Sequence, residues 1–315
     1  MQPLRIALAQ LAPRLGDLEA NLARHRELLA EARAGGAGLV VFPELGLTGY
    51  QLQDLAADVA MRLDDPRLTD LAGLTRGFSA IVSFVEESGD HRLFIAAALL
   101  EDGEIRHVHR KVHLPTYGLF DERRFFAPGD QVRATPSRLG VGVGLAICED
   151  FWHLSTPQLL ALDGAQILVN VSSSPGRDLA RSSEVGLGTA NSWRTLMRTY
   201  AQLTTSFVVF CNRVGVDESI SFWGGSEVIG PGGAPIFSAP LFDEGLFFAD
   251  IDLGDVRRER IALPLLRDER PELVAREWRR LIAERSGLAA DGNAEPGSQD
   301  GFDVAVEPAR TSSDR

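Results

Sequence analysis

The chain has 315 residues, a formal net charge of −12 and only two cysteines. Hydrophobic residues make up 44% and charged residues 24% of the chain, a composition typical of globular proteins. Two cysteines exclude a disulfide framework or a cysteine-rich zinc site, the acidic balance argues against a nucleic-acid partner, and no apolar run is as long as a membrane-spanning helix. Because residues 1–10 also lack the apolar core of a signal peptide, we expect a soluble cytoplasmic protein that binds neither nucleic acid nor membrane.

The hydrophobic pattern alternates between strand-like and helix-like segments. Leu4–Gln10 is strand-like, Asp17 offers an N-cap to a helix that stops at Gly35, and residues 39–42 form the apolar run of a buried strand. Further strands are predicted over residues 79–86, 93–100, 105–112, 141–147, 167–171, 207–211, 220–229 and 245–252. Further helices are predicted over residues 68–75, from Thr156-Pro157 onward, over residues 190–203 and over Pro271–Arg285. This alternation predicts a layered α/β domain.

The composition changes near residue 287. Residues 288–315 are rich in Ala, Gly, Ser and acidic residues and contain almost no aromatic residues. Such a segment cannot bury enough apolar surface to fold by itself. No linker-like stretch occurs earlier in the chain. We therefore expect one domain over residues 1–287, followed by a disordered acidic tail over residues 288–315.

Three predicted strands each end in a reactive side chain. Glu44 follows Pro43 after the second strand, Lys111 ends the strand that contains HRK, and Cys148 follows the strand VGVGLAI. In open α/β sheets, functional groups collect just beyond the carboxyl ends of strands. A carboxylate that takes a proton, a thiol that attacks and an ammonium that stabilises an oxyanion suit acyl transfer from an amide.

Each of these residue types, taken alone, has a commoner structural role. A cysteine at a strand end is usually a small buried hydrophobe, and a lysine on an edge strand is usually solvated. Cys211 lies in an apolar strand and is interpreted as packing. His107, His109 and His113 alternate along one predicted strand, but no carboxylate cluster completes a metal site, and we expect no metal.

The three strand-end segments together resemble the nitrilase, or carbon–nitrogen hydrolase, superfamily, which carries Glu, Lys and Cys in this chain order. The stretches NRVG, FWGGS and PGG after residue 211 are similar to further motifs of that superfamily. The resemblance covers about residues 4–255. It implies a four-layer αββα sandwich with Glu44 as base, Lys111 as oxyanion stabiliser and Cys148 as nucleophile, and no cofactor. Because such proteins commonly assemble through the sandwich, it also implies a homo-oligomer.

Within the superfamily, three segments are most similar to the glutamine amidase domain of glutamine-dependent NAD synthetases. They are PELGLTGY at residues 43–50, KVHLPTYGLFDERRFF at residues 111–126 and ICEDFW at residues 147–152. The similarity implies that Glu122 is a second, orienting carboxylate near Lys111. Residues expected to support or line the substrate pocket are Tyr50, Tyr117, Glu149, Trp152 and Ser174.

The chain departs from that domain in ways that bear on the substrate. Gln51-Leu52 replaces a Pro-Pro pair, and residues 171–175 (VSSSP) are a variant of the usual Ala-Ser-Pro segment. Neither Arg177 nor Arg181 can be assigned as the partner of a substrate carboxylate. No ATP pyrophosphatase motif of the Ser-Gly-Gly-x-Asp type follows, so we expect any NAD synthetase to be a separate partner.

The leading interpretation is an amidase that hydrolyses a glutamine-type side chain through a thioester and releases ammonia for a separate NAD synthetase. Three alternatives use the same chemistry: an ω-amidase, an N-carbamoyl amidohydrolase and a nitrilase. A further alternative is a non-catalytic binding subunit. An intact set of Glu44, Lys111 and Cys148 argues against it, because a retired enzyme has no physical need for all three.

Overall fold

The computed structural model describes residues 3–176, 188–217 and 219–286. Contacts between residues divide the chain into two compact units, Met1–Asp268 and Glu269–Arg315. The expected acidic tail over residues 288–315 lies outside the described residues. The domain boundary expected at residue 287 stays a prediction.

The first unit contains a sheet, called the first sheet, in which parallel and antiparallel strands are mixed. In spatial order its strands are β14 (Gly245–Ile251), β1 (Leu4–Gln10), β2 (Leu39–Val41), β3 (Ser79–Glu87), β4 (Leu93–Glu101) and β5 (Glu104–Arg110). The β1, β2 and β3 strands run parallel, whereas β4, β5 and β14 pair antiparallel with their neighbours. The pairing of β14 with β1 joins the two ends of this unit.

A second sheet of the same size has a parallel centre. In spatial order its strands are β13 (Pro235–Ser238), β12 (Glu227–Ile229), β9 (Phe207–Asn212), β8 (Ala165–Ser172), β7 (Gly142–Ile147) and β6 (Ala134–Pro136). The β7, β8 and β9 strands are parallel. A separate two-stranded ribbon is formed by β10 (Val214–Asp217) and β11 (Ile220–Trp223).

The helices cover the outer faces of the two sheets. The helices of this unit are α1 (Leu18–Ala34), α2 (Pro66–Gly73), α3 (Glu122–Phe125), α4 (Ser155–Leu162), α5 (Gly188–Thr204), α6 (Gly254–Ala262) and α7 (Leu265–Asp268). Apolar residues of α1 and α2 pack with one face of the first sheet, and those of α4 and α5 pack with the second sheet. The inner faces meet, so that the Cys211 sulfur lies 3.1 Å from the Val41 carbonyl oxygen. The predicted four-layer αββα sandwich is confirmed.

Most predicted elements lie within two residues of the observed ones, and the exceptions have local causes. The single strand predicted over residues 220–229 is wrong, because the chain breaks it into β11 and β12. Gly224 and Gly225 stand between them with φ of 68° and 61°, a left-handed conformation that cannot continue a strand. The helix expected to open at Thr156 begins one residue earlier, at Ser155.

The second unit contains α8 (Pro271–Arg285), and the helix predicted over these residues is confirmed. Arg280 forms ion pairs within this helix with Glu277 and Glu284, each at 2.7 Å. Such exposed pairs at helical spacing contribute little to stability. Throughout the described residues, every helix is too short or too polar to cross a lipid bilayer.

Candidate active site

The three reactive side chains singled out in the sequence stand just beyond strand ends. Glu44 comes three residues after β2, Lys111 directly follows β5, and Cys148 directly follows β7. Glu44 is completely buried, and Lys111 and Cys148 are only 1% and 8% exposed. The structure thus brings a carboxylate and an ammonium from the first sheet to a thiol from the second sheet.

Glu44 is held through both of its carboxylate oxygens. Oε1 accepts a hydrogen bond from Lys111 Nζ at 2.7 Å, and Oε2 accepts one from the Ser173 backbone N–H at 2.8 Å. The Ser173 hydroxyl also donates to the Glu44 carbonyl oxygen at 2.8 Å. Since Ser173 follows β8, a carboxylate carried by the first sheet is fixed by the second sheet.

The Lys111 ammonium is fully enclosed between two carboxylates. Its Nζ donates to Glu44 Oε1 at 2.7 Å and to Glu122 Oε1 at 2.8 Å. Burial by itself lowers the pKa of Lys111, but the adjacent Glu122 and Glu44 carboxylates outweigh burial and raise this pKa well above its ordinary value. Lys111 therefore keeps its positive charge at neutral pH and acts as a fixed cation.

Glu122 begins α3 and connects Lys111 to Tyr50. The Tyr50 hydroxyl donates to the same oxygen, Glu122 Oε1, at 2.6 Å. The other oxygen, Oε2, is buried and has no hydrogen-bond partner among the described residues. Burial raises the pKa of Glu122 to about 7, although the Lys111 charge opposes this shift. A carboxyl group beside the thiol cluster can therefore hold a proton near neutral pH.

Cys148 adopts a backbone conformation that is unfavourable for a side chain with a Cβ. Its φ is 44°, in the left-handed region, and the residue opens a short 3-10 turn over Cys148–Trp152. The Asn170 side chain secures this turn, because its Oδ1 accepts from the Cys148 N–H at 2.8 Å. A sharp turn of this kind directly after a strand points the side chain away from the sheet edge.

The Cys148 thiol needs a base before it can attack. Burial, together with the negative charge of Glu44, raises the pKa of this thiol well above its ordinary value, and Lys111 only partly opposes the shift. At neutral pH the sulfur is therefore protonated and weakly nucleophilic. A carboxylate that can accept the proton during attack removes this barrier, and Glu44 is the carboxylate whose charge acts most strongly on the thiol.

A cavity of about 410 Å³ opens onto the thiol. Its lining residues are Tyr117, Phe120, Cys148, Glu149, Trp152, Ser174, Pro175, Gly188, Thr189, Ser192 and Trp193. The size suits a small molecule, and the lining combines aromatic walls with a few polar groups, as ligand pockets do. A second, smaller cavity of about 220 Å³ is lined by Tyr50 and Glu122 and does not include Cys148.

Glu149 supplies the negative charge of the larger cavity. Its carboxylate accepts the Tyr117 hydroxyl at 2.9 and 3.0 Å, and His153 Nε2 lies 3.9 Å away. Partial burial raises the pKa of Glu149, while the hydrogen bond from Tyr117 opposes the shift. A carboxylate at the wall of an amide-sized cavity favours a substrate that carries a positive charge.

Ser174 and Trp152 lie at the opposite wall. The Ser174 hydroxyl oxygen accepts hydrogen bonds from Trp193 Nε1 at 2.8 Å and from Trp223 Nε1 at 3.3 Å. Trp152 is 41% exposed and packs edge-on against Trp193, with ring centroids 5.2 Å apart. These contacts make a rigid aromatic wall.

The structure places the other candidate residues as follows. Tyr50 bonds to Glu122 and lines the smaller cavity, not the one that contains Cys148. His109 bonds to Asp150, and His113 stacks on His153. Within the described ranges, no group of three or more His, Cys, Asp or Glu side chains is arranged to hold a metal ion. Arg177 and Arg181 lie outside the described residues.

Sequence reasoning missed three polar residues that fix the cluster. Ser173 holds Glu44, Asn170 holds the Cys148 turn, and Asp150 is a fully buried carboxylate two residues after Cys148. A polar Asn inside the apolar strand QILVNVS and an Asp inside a buried turn are visible signals in the sequence. Their partners are not visible there, because all three bind groups that are more than a turn or strand away.

The sandwich and its carboxylate–ammonium–thiol cluster define the class of protein, a hydrolase that acts on carbon–nitrogen bonds other than peptide bonds. The carbon-nitrogen hydrolase family model matches residues 5–260, and the chain belongs to this family.

The chain is similar to proteins of several kinds within this family. It is 36% identical over 273 residues to the glutamine-dependent NAD(+) synthetase of Thermotoga maritima, covering 84% of this chain and 45% of the relative. It is 27% identical over 275 residues to the N-carbamoylputrescine amidase of Arabidopsis thaliana, covering 82% and 89% respectively. The solved structure of an amidase from Nesterenkonia sp. AN1 superposes with a TM-score of 0.71 at 27% identity, covering 88% of this chain and 97% of that chain. The chain thus spans less than half the length of the synthetase.

The raised pKa of Glu122 predicts a specific dependence of stability on pH. Because its pKa rises from 4.5 to about 7 on folding, the folded state binds more protons than the unfolded state between these values. Stability due to this group is therefore greatest below pH 4.5 and falls as the pH rises to 7. Glu122→Gln removes this loss and should stabilise the protein relative to wild type by up to about 3 kcal/mol more at pH 8 than at pH 5.

Urea unfolding of wild type and Glu122→Gln at pH 5 and pH 8 measures this difference. All other titrating groups are shared, and Lys111 stays charged over the range, so their contributions cancel in the comparison. A difference between the two proteins that does not change with pH would contradict the raised pKa.

Proposed function

We propose that the chain is a cysteine-dependent amidase that hydrolyses a small amide of the glutamine type and releases ammonia. The observation that carries this proposal is the buried Lys111 ammonium, bonded to Glu44 at 2.7 Å beside a thiol that lines an amide-sized cavity. This arrangement contains a base, a nucleophile and a fixed cation, the three groups that acyl transfer from an amide requires.

In the first half of the reaction, Glu44 takes the proton from Cys148 Sγ as the sulfur attacks the amide carbon. A carbon–sulfur bond forms, and the carbonyl oxygen becomes an oxyanion. Lys111 and the backbone N–H of Glu149 stabilise that oxyanion. The tetrahedral intermediate then collapses, the carbon–nitrogen bond breaks, and Glu44 gives its proton to the nitrogen. Ammonia leaves, and a thioester on Cys148 remains.

In the second half, water hydrolyses the thioester. Glu44 takes a proton from water as its oxygen attacks the carbonyl carbon, and Lys111 again stabilises the oxyanion. The carbon–sulfur bond breaks, the carboxylic acid is released, and the thiolate recovers its proton from Glu44. Lys111 keeps its charge throughout, consistent with a pKa raised well above its ordinary value.

Two comparisons support covalent chemistry at Cys148. In the Nesterenkonia sp. AN1 amidase, the acetamide moiety of fluoroacetamide adds covalently at the active site cysteine. The NAD(+) synthetase of Thermotoga maritima is named as glutamine-dependent. Glutamine carries a primary amide and an α-ammonium group, and the Glu149 carboxylate in the cavity wall offers a charge complement to that ammonium.

A second candidate substrate is an N-carbamoyl amine. The Arabidopsis thaliana relative, of which the chain covers 89%, is an N-carbamoylputrescine amidase. N-carbamoylputrescine also ends in a cationic amine, which Glu149 can pair with. A panel of glutamine, N-carbamoylputrescine, butyramide and butyronitrile, with ammonia release as the readout, separates the candidates. The proposal expects the highest kcat/KM for glutamine, and a higher value for any other compound would replace it.

Cys148→Ala is expected to lower the rate of ammonia release from the preferred amide by at least ~1,000-fold, because the covalent route is lost. Cys211→Ala is the matched control. Cys211 is equally buried but lies between the sheets, near the Val41 carbonyl, and its replacement should change the rate by less than about threefold. A Cys148→Ala enzyme that keeps a tenth of the wild-type rate would rule out the cysteine mechanism.

Glu149→Gln is expected to raise KM for a cationic substrate by about tenfold or more, because a charge-assisted contact is lost. The same variant should change KM for neutral butyramide by less than about threefold, so the neutral amide serves as the internal control. Steady-state kinetics with both substrates decide the matter. An equal rise in both KM values would mean that Glu149 shapes the cavity and does not recognise charge.

We further propose that a separate NAD synthetase consumes the ammonia, supported by the similarity to proteins named as glutamine-dependent NAD(+) synthetases. Addition of the chain to an ammonia-dependent NAD synthetase should make NAD formation depend on glutamine. The Cys148→Ala chain is the control for contaminating ammonia. If the mixture forms no more NAD than the Cys148→Ala mixture while ammonia is released, the partner is wrong and the amidase proposal stands.

A further inference from the structure

Asp150 is a completely buried carboxylate that accepts four hydrogen bonds. Its Oδ1 accepts the backbone N–H groups of Val112 at 3.1 Å and His113 at 2.9 Å. Its Oδ2 accepts the Ile147 N–H at 3.0 Å and bonds to His109 Nε2 at 2.9 Å. No other carboxylate near the thiol cluster, in the part of the chain that the structure describes, has so many backbone partners.

The two oxygens hold the two loops that carry the reacting groups. The amides on Oδ1 belong to the two residues directly after Lys111, whereas Ile147 on Oδ2 directly precedes Cys148. These loops are about 40 residues apart in the chain and end strands of different sheets, β5 and β7. One rigid carboxylate therefore bridges the lysine-bearing loop and the cysteine-bearing turn.

The local role of Asp150 accounts for only one of its four bonds. The contact with the Ile147 N–H caps the 3-10 turn that starts at Cys148. The other three bonds reach β5 and the residues that follow it, and a cap does not need them. Burial alone raises the pKa of Asp150, but the hydrogen bonds from His109 and the backbone lower it below its ordinary value, so the group is ionised.

We propose that Asp150 is a positioning residue that sets the distance between the Lys111 ammonium and the Cys148 sulfur. This inference rests on the proposed function, in which those two groups act on the same carbonyl. A displacement of about 1 Å between them lowers the rate of such a reaction by up to about 100-fold. Asp150 itself touches no substrate, because its oxygens are fully used by the two loops and His109.

Asp150→Asn is the sharpest test, because an amide has nearly the same shape but only one acceptor oxygen. Whichever way the amide turns, its NH2 group faces N–H donors of one of the two loops, and that loop is released. The proposal expects kcat for the preferred amide to fall about 10- to 100-fold, with KM changed less than about threefold because the cavity residues stay in place.

Alkylation by iodoacetamide, followed by mass spectrometry of the two cysteine-containing peptides, distinguishes positioning from general loosening. Loss of positioning slows modification of Cys148 and leaves Cys211 protected. General loosening of the fold exposes both cysteines and speeds modification of both. A rise at both sites, or an unchanged kcat, would overturn the proposal.

Glu101→Gln is the matched control, because Glu101 is a buried carboxylate that also accepts a backbone N–H and side-chain hydroxyls. It lies away from the cluster and should leave kcat and Cys148 alkylation unchanged. If Asp150→Asn does not fold, two His109 variants carry the test. His109→Leu removes the donor to Oδ2 and should lower kcat, whereas His109→Gln keeps a donor and should restore most of it. Equal rates for the two would overturn the proposal.

These outcomes are separate from a failure of the proposed function. If Cys148→Ala is fully active, the cysteine mechanism is wrong, and the Asp150 inference falls with it. If Cys148→Ala is inactive while Asp150→Asn has wild-type kcat, the mechanism stands and only the positioning role is wrong.

Discussion

The contact between the buried Lys111 ammonium and the Glu44 and Glu122 carboxylates governs the rest of the site. A charge removed from water costs several kcal/mol unless partners with good geometry surround it. Lys111 has two such partners at 2.7 and 2.8 Å, and each partner needs its own support. Ser173 supplies that support to Glu44, and Tyr50 supplies it to Glu122. The arrangement of four chain segments is thus fixed by the need to neutralise one cation.

The two glutamates that contact Lys111 are chemically unequal. Glu44 has both oxygens satisfied, one by Lys111 and one by a backbone N–H, and it acts most strongly on the thiol. Glu122 has one oxygen without a partner among the described residues, and its pKa is about 7. In the proposed mechanism the first moves protons and the second keeps Lys111 in place. Different surroundings give two identical side chains different tasks.

The sequence predicts the reactive residues better than the residues that hold them. Strand ends are visible because an apolar run stops, and this places Glu44, Lys111 and Cys148 at one edge of the sheets. The sandwich itself came from the family resemblance, because periodicity does not show how two sheets stack. The partners of Ser173 and Asp150 are 129 and 37–41 residues away, and only the stacking brings them together. The Gly224–Gly225 break was readable, but β-branched and aromatic neighbours masked it.

The division of the cluster between the sheets has a consequence for the cell. Glu44 and Lys111 belong to the first sheet, and Cys148 and Ser173 belong to the second. If the sheets separate in a partly unfolded molecule, the thiol loses both its base and its cation at once. Such a molecule holds an unreactive cysteine and releases no ammonia. Hydrolysis is thereby confined to chains that have completed folding, without any separate safeguard.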